Sequence, residues 1–245
     1  MALIFAGKTD VGKRRDNNQD NFSVKKLDKD VILCTVCDGM GGANGGRMAS
    51  TLAQTTFDSY IQERLKDCDK QQLLGLMQEA LCAANTTLYQ KATEDIMLHG
   101  MGTTIISCLC DGEKYYCLTV GDSRIYAISD TSVEQLSHDH SYVQSLIDSG
   151  AITQQEAKNH PNRNIITKAV GTDEEVTGDV FTVECKNVKG VLLCTDGLCG
   201  YIEHEDLEKI CLENSEPEKC VARLVEKANF ESGADNITAV VIKNS

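Results

Sequence analysis

Apolar, β-favouring runs that end on an aspartate beside a glycine recur along this chain, and they limit its fold more than any other feature. Val31-Ile-Leu-Cys-Thr-Val-Cys37 runs into Asp38-Gly39, and Val188 to Thr195 runs into Asp196-Gly197. Runs of this length bounded by turn residues read as strands. Thr103 to Cys110, Tyr115 to Val120 and Arg124 to Ile128 follow one another across turns at Asp111-Gly112 and Gly121-Asp122, the pattern of an antiparallel meander. Ile237 to Ile242 supplies a last apolar strand.

Helical periodicity fills the spaces between. From Gly46 onward, Ala49, Ala53, Phe57, Ile61 and Leu65 recur every four residues, and Leu73, Met77, Ala80, Leu81, Ala84 and Leu88 form a second stripe. Ser215-Glu-Pro-Glu218 has the form of a capping box with proline in the first turn, and Val221, Leu224, Val225 and Ala228 then make a buried face. Paired helices followed by a run of strands predict antiparallel sheets covered by helices, not an alternating parallel fold. With two prolines and no linker, repeat or charge block, residues 1–245 read as a single domain.

Charge narrows the partners. Against 24 basic side chains stand 37 acidic ones, a net charge of -13, which repels phosphate backbones and anionic membranes. Neither nucleic acid nor membrane is an expected partner. Met1-Ala-Leu-Ile-Phe-Ala6 lacks a preceding basic residue and is too short for a secretory segment. No run reaches the roughly 20 apolar residues that cross a bilayer, so the expected location is cytoplasmic and the default state a monomer. Of 12 cysteines, Cys34 and Cys37 form a lone C-x-x-C with no second half to close a zinc site. Cys108, Cys110 and Cys194 lie in apolar runs, where a thiol acts as a small hydrophobe.

Part of the acidic excess is patterned. Asp38 and Asp196 end apolar strands with glycine beside them, and Asp122 follows Gly121 in a turn between strands. Asp235 precedes the last strand, and Asp20 opens the run into Asn21-Phe22. A carboxylate at a strand end is rigidly placed, which suits a hard cation that wants several oxygen ligands. A single Asp-Gly is more often a turn than a ligand. On the residues alone, turns and a divalent-metal site both remain open. Oxygen-only ligation favours Mg²⁺ or Mn²⁺ over Zn²⁺, and two such ions can activate a water for attack on phosphorus. Arg14 and Arg15 stand just ahead of Asp20 as cationic groups for a phosphate. No P-loop motif is present, so hydrolysis is favoured over nucleotide-dependent transfer.

Arg15-Asp-Asn-Asn-Gln-Asp20, Val36-Cys-Asp-Gly-Met-Gly-Gly42, Gly102-Thr-Thr104, Gly121-Asp-Ser-Arg124, Asp139-His-Ser141, Ile166-Thr-Lys-Ala-Val-Gly171, Cys194-Thr-Asp-Gly-Leu198 and Asp235-Asn-Ile-Thr238 occur in this order. Together, from about Gly7 to Ile242, they resemble the metal-dependent protein phosphatase family, the PP2C-like phosphatases, in its compact bacterial branch. The resemblance implies an α+β fold, a four-layer α-β-β-α sandwich of two antiparallel sheets flanked by helices. It implies Mn²⁺ or Mg²⁺ as cofactor, two ions with a third, weaker one. Asp38 would bridge the pair, the Gly39 carbonyl would bind one ion, and Asp196 and Asp235 the other. Asp20 would act through a coordinated water, Asp122 with Asp196 would hold the third ion, and Arg15 would bind substrate phosphate. The implied reaction is hydrolysis of phosphoserine and phosphothreonine in proteins by in-line attack of a metal-bridging water or hydroxide. The expected partners are phosphorylated proteins and a bacterial-type serine/threonine kinase whose work it opposes. Residues 139–171 match the flap beside the active site.

Four positions depart from the pattern. Met40 stands where the eukaryotic branch has a histidine, Ala43 and Arg47 replace a usual histidine and glutamate, and Lys168 replaces a frequent arginine. The rival readings are a catalytically silent member that binds phosphoproteins, a phosphatase dedicated to one regulatory phosphoprotein, and a cysteine-based zinc or redox protein.

Overall fold

The structure, a computed structural model, describes residues 3–27 and 31–244, with Ala43 and Asn44 described by backbone alone. The first two residues of the opening apolar run and the Ala43 side chain therefore lie outside the described residues.

In chain order the strands β1 (Leu3–Asp10), β2 (Asp20–Lys26) and β3 (Ile32–Met40) precede the helices α1 (Gly42–Arg64) and α2 (Leu73–Glu94). Then come β4 (Gly102–Thr103), β5 (Ile105–Cys110), β6 (Lys114–Val120), β7 (Arg124–Ile128) and β8 (Val133–Gln135). Two short helices, α3 (Tyr142–Asp148) and α4 (Gln154–Lys158), lie inside the 139–171 segment. The chain closes with β9 (Asp179–Glu184), β10 (Gly190–Cys194), α5 (Asp196–Cys199), α6 (His204–Glu213), α7 (Pro217–Glu231) and β11 (Ile237–Asn244).

The strands form two antiparallel sheets. One has the order β1-β11-β10-β7-β8, and the other β2-β3-β5-β6-β9 with β4 on β3. Three apolar clusters fill the three spaces of a four-layer sandwich. Cys34, Val36, Ile106, Ile125, Val191 and Val240 pack between the sheets. Ala49, Ala53, Phe57 and Ile61 of α1 join Met77, Leu81 and Leu88 of α2 over Leu33, Leu109 and Leu118. On the opposite face, Val221, Leu224, Val225 and Ala228 of α7 cover Leu192, Ala239 and Val241. The α+β sandwich expected from the sequence is thus present, and both helical stripes are core.

Period-2 alternation explains why β3 is apolar throughout. Ile32, Cys34 and Val36 face the other sheet, whereas Leu33 and Cys37 face the helices. Each large side chain buried this way contributes roughly 1.5–3 kcal/mol. The same alternation sends Cys34 and Cys37 into different cores, so the C-x-x-C spacing does not bring its thiols together. All 12 cysteines are free, nine of them buried. None of the helices, among the described residues, is long and apolar enough to cross a membrane.

Four local expectations need correction. Arg124 to Ile128 is not the third strand of a meander: β7 pairs with β10 and β8 in the other sheet, so the Gly121-Asp122 turn crosses between sheets. β3 does not stop at Asp38, because Gly39 and Met40 continue pairing with Thr103 and Gly102. The first helix begins at Gly42, ahead of Gly46. The residue before α7 is Glu216, which makes no side-chain cap, so the Ser215–Glu218 box does not form although Pro217 does open the helix. A capping box does form at α4, where Thr153 and Glu156 cap each other. β1 and β9 are edge strands that the apolar pattern did not mark.

Candidate metal centre

The sheet register builds the site first. β2 runs antiparallel to β3 with Asp20 directly opposite Asp38. The Asp38 backbone is fixed from the other side, its N–H donating to Thr104 Oγ1 at 3.0 Å and its carbonyl accepting from Thr103 Oγ1 at 2.7 Å. Beside it, Gly39 permits α1 to approach β3, since a Cβ there would lie 2.0 Å from the Gly46 carbonyl oxygen. Glycine is required because the contact is backbone to backbone.

Asp196 enters at the turn from β10 into α5, and Asp235 stands just ahead of β11. Asp20 joins the two sheets: its Oδ2 accepts from Thr195 Oγ1 at 2.9 Å and from Thr238 Oγ1 at 2.6 Å. Its Oδ1 is buried with no partner, and so is Asp196 Oδ1. These are two of only three such side-chain atoms among the described residues. A buried acceptor without a donor is costly, and here two of them belong to neighbouring carboxylates.

Electrostatics tell the same story. Burial, above all, pushes the Asp20 carboxyl up to about 7 against the pull of Thr238 and Thr195, with Asp196 and Asp235 adding to the rise. Burial and then Asp196 and Asp139 take Asp122 to about 8. Asp38 is raised well above the usual range by burial and by Asp20, Asp196 and Asp122, and Asp196 is raised by burial and by Asp235. The two act on each other in opposite directions, Asp196 raising Asp38 and Asp38 holding Asp196 down. Without a cation, a cluster like this keeps protons that a divalent ion would replace.

Asp38, Gly39, Asp122, Asp196 and Asp235 line one cavity of about 530 Å³, together with Arg14 and Arg15. Asp20 lies behind that wall, which fits an indirect part in holding a cation. Arg15 Nη2 donates to Asp235 Oδ2 at 2.7 Å, and this bond with the Asp235 charge raises the Arg15 pKa. As placed, no three His, Cys, Asp or Glu side chains among the described residues close into a ready-made ligand cage. Asp235 is turned to Arg15 and Asp20 to its threonines, so the set is open on the cavity side. The oxygen-only donors and the two partnerless oxygens fit a hard divalent cation.

A second cavity of about 460 Å³ adjoins the first, sharing Asp122, Asp196 and Asn164. Its further wall comes from α3, α4 and the 158–164 loop, including Lys158 and Arg163. Of the departures from pattern, Met40 lines the first cavity. Arg47 is exposed on α1, and Lys168 lies 3.4 Å from His140 Nε2.

Sequence reading gave no role to several groups that order the site. Thr195 and Thr238 hold Asp20. Asn236 accepts from the Gln19 N–H at 2.8 Å and donates to the Val11 and Asn17 carbonyls, fixing the loop that carries Arg14 and Arg15. Their one local signal was position, immediately before Asp196 and one and three residues after Asp235.

Comparison with known proteins finds relatives over nearly the whole chain. Residues 11–232 match the family model described as Protein phosphatase 2C. A serine/threonine phosphatase of Listeria innocua is 31% identical over 239 residues, covering 97% of this chain and 94% of the relative. The crystal structure of a serine/threonine phosphatase from Staphylococcus aureus superposes with a TM-score of 0.91 at 31% identity, covering 100% of this chain and 96% of that one. The catalytic domain of the serine/threonine protein phosphatase PstP, in complex with two manganese ions, superposes with a TM-score of 0.85 at 30% identity. There the coverage is 98% of this chain and 97% of that one.

Proposed function

The chain belongs to the protein phosphatase 2C family, and from that premise we propose that it hydrolyses phosphoserine and phosphothreonine in proteins with divalent cations. The observation that carries the reading is the group of four aspartates, Asp20 buried and Asp38, Asp122 and Asp196 half-buried, all raised in pKa, two with partnerless oxygens, at an arginine-bordered cavity.

Asp38, the Gly39 carbonyl, Asp196 and Asp235 would hold two Mn²⁺ or Mg²⁺ ions, with Asp20 acting through water and Asp122 joining Asp196 at a weaker third. Bound there, the ions would supply an activated water for in-line attack and would offset charge on the phosphoryl oxygens. The chain's own residues do the rest. Arg15 binds two phosphate oxygens through its planar fork, and its pairing with Asp235 aims it at the cavity before substrate arrives. Thr195 and Thr238 hold Asp20 in one orientation, so little reorganisation is needed when charge develops. Residues 139–171 wall one side of the site as a flap within one 1–245 domain. The phosphoprotein substrates would be those of a bacterial-type serine/threonine kinase.

The test is hydrolysis of p-nitrophenyl phosphate and a phosphothreonine peptide with Mn²⁺ or EDTA, for wild type and Asp38→Ala. Activity on both, lost with EDTA and with the substitution, is expected. A folded protein inactive at saturating Mn²⁺ would overturn the reading and leave a silent, phosphoprotein-binding member.

A further inference from the structure

The 139–171 segment meets the Asp122 turn through His140, a side chain the proposed reaction does not use. The His140 N–H donates to the Gly121 carbonyl at 2.8 Å, and its ring Nδ1 accepts from the Gly121 N–H at 3.1 Å. One histidine thus holds both polar groups of the residue before Asp122. That backbone is also sterically confined: Gly121 has φ +106°, and a Cβ would lie 2.5 Å from the Thr104 methyl.

The accepting nitrogen decides the tautomer. A neutral imidazole with its lone pair on Nδ1 carries its proton on Nε2. Nε2 lies 3.2 Å from Asp179 Oδ2, at the start of β9. Lys168 Nζ is 3.4 Å from the same nitrogen and 3.8 Å from Asp179 Oδ1, but an ammonium has no lone pair to receive that proton. The Nε2–H therefore points to Asp179, and Lys168 acts through charge. Burial and Lys168 lower the His140 pKa, which keeps the ring neutral. The residue before it works in parallel, Asp139 accepting from Arg124 Nη2 at 2.7 Å and from Arg124 Nε at 3.0 Å. Asp122 is therefore flanked by two residues, Gly121 at once and Arg124 two positions on, each held from the base of the flap.

Resting on the reading of Asp122 as a cation ligand, we propose that His140 is a positioning residue for that aspartate. Asp179 selects the Nε2–H tautomer, Nδ1 then holds the Gly121 amide, and the amide sets the direction of the carboxylate that follows. Groups that orient metal ligands in this way typically change cation affinity by about 10–100-fold when removed.

The experiment counts bound Mn²⁺ by electron paramagnetic resonance, without substrate, in wild type, Asp122→Ala, His140→Ala, His140→Gln, His140→Asn and Asp179→Ala. Asparagine can put its Oδ1 where Nδ1 lies and accept the Gly121 N–H; glutamine reaches instead to the place of Nε2. His140→Ala and His140→Gln are expected to weaken the Asp122-dependent class of Mn²⁺ about tenfold or more, with the tighter class unchanged. His140→Asn should restore binding, and Asp179→Ala should weaken the same class to a smaller degree. A merely structural histidine would lower the melting temperature equally in all three His140 variants without separating the two classes. Wild-type binding in His140→Ala, or no rescue by asparagine, overturns the proposal while Asp122→Ala still loses its class. If wild type has no Asp122-dependent class, the ligand reading itself falls and the proposal with it. Should His140→Ala fail to fold, Asp179→Ala decides, since that side chain is half-exposed; unchanged Mn²⁺ binding in it overturns the proposal.

Discussion

Stability of the metal-free protein should fall as pH rises across the range in which the site's carboxylates keep protons that the unfolded chain has already lost. Asp20 shows the size of the effect. Burial pushes its carboxyl up to about 7 in the fold, from the 3.8 of a free side chain. Between these values the folded state binds more protons, so unfolding becomes easier as pH increases. The contribution is fully present below the unfolded pKa and is lost by about pH 7. One retained proton changes the unfolding free energy by about 1.4 kcal/mol per pH unit. From about pH 5 to about pH 7 that is roughly 2.7 kcal/mol, or a melting temperature lower by roughly 5–10 °C for a chain of this size. Asp122, raised to about 8, acts in the same direction.

The assay is thermal unfolding by circular dichroism in EDTA across that range, for wild type and Asp20→Asn. Net charge of -13 also opposes compaction as pH rises, so the quantity to read is the difference between the two proteins. Asparagine can still accept from Thr195 and Thr238 but does not titrate, so its profile should be flatter. Mn²⁺ should raise the melting temperature more at high pH than at low, because protons compete for the same oxygens. Parallel profiles for wild type and Asp20→Asn, or an Mn²⁺ increment independent of pH, would refute the reasoning.

Two further outcomes are expected. Asp58 is fully buried on α1 and accepts from Thr35, Ser23 and Gln54 while pairing with Lys25 at 3.0 Å. Asp58→Ala should cost about 3 kcal/mol in urea unfolding by leaving these donors without an acceptor, and a loss under about 1 kcal/mol would count against this account. Arg15→Lys keeps the charge but loses the two-pronged contact, so KM for p-nitrophenyl phosphate should rise about tenfold with melting unchanged. An unaltered KM would remove Arg15 from phosphate binding.

Much of the fold and the site could be read along the chain. The stripe from Ala49 to Ile61 and the unbroken run from Ile32 to Cys37 are local patterns, and burial on one face or both is what produces them. The edge strand β9 carried less signal because none of its residues is buried. The Ser215–Glu218 pattern misled because proline and glutamate suit a helix's first turn whether or not a serine caps it.

The sequence by itself determined which segments are strands or helices, and that aspartates stand where strands end beside glycine. It also carried enough ordered motifs to mark the family. Only the tertiary structure decided that β7 leaves the sheet of β5 and β6, since periodicity says which face is buried but not which strand supplies the hydrogen bonds. Only it set Asp20 against Asp38 and brought to Asp20 the hydroxyls of Thr195 and Thr238, 175 and 218 residues away. Only it placed His140 against Gly121. Such convergence has no local signature: the carboxylates repel one another, and distant packing of two sheets, not any neighbouring residue, holds them together.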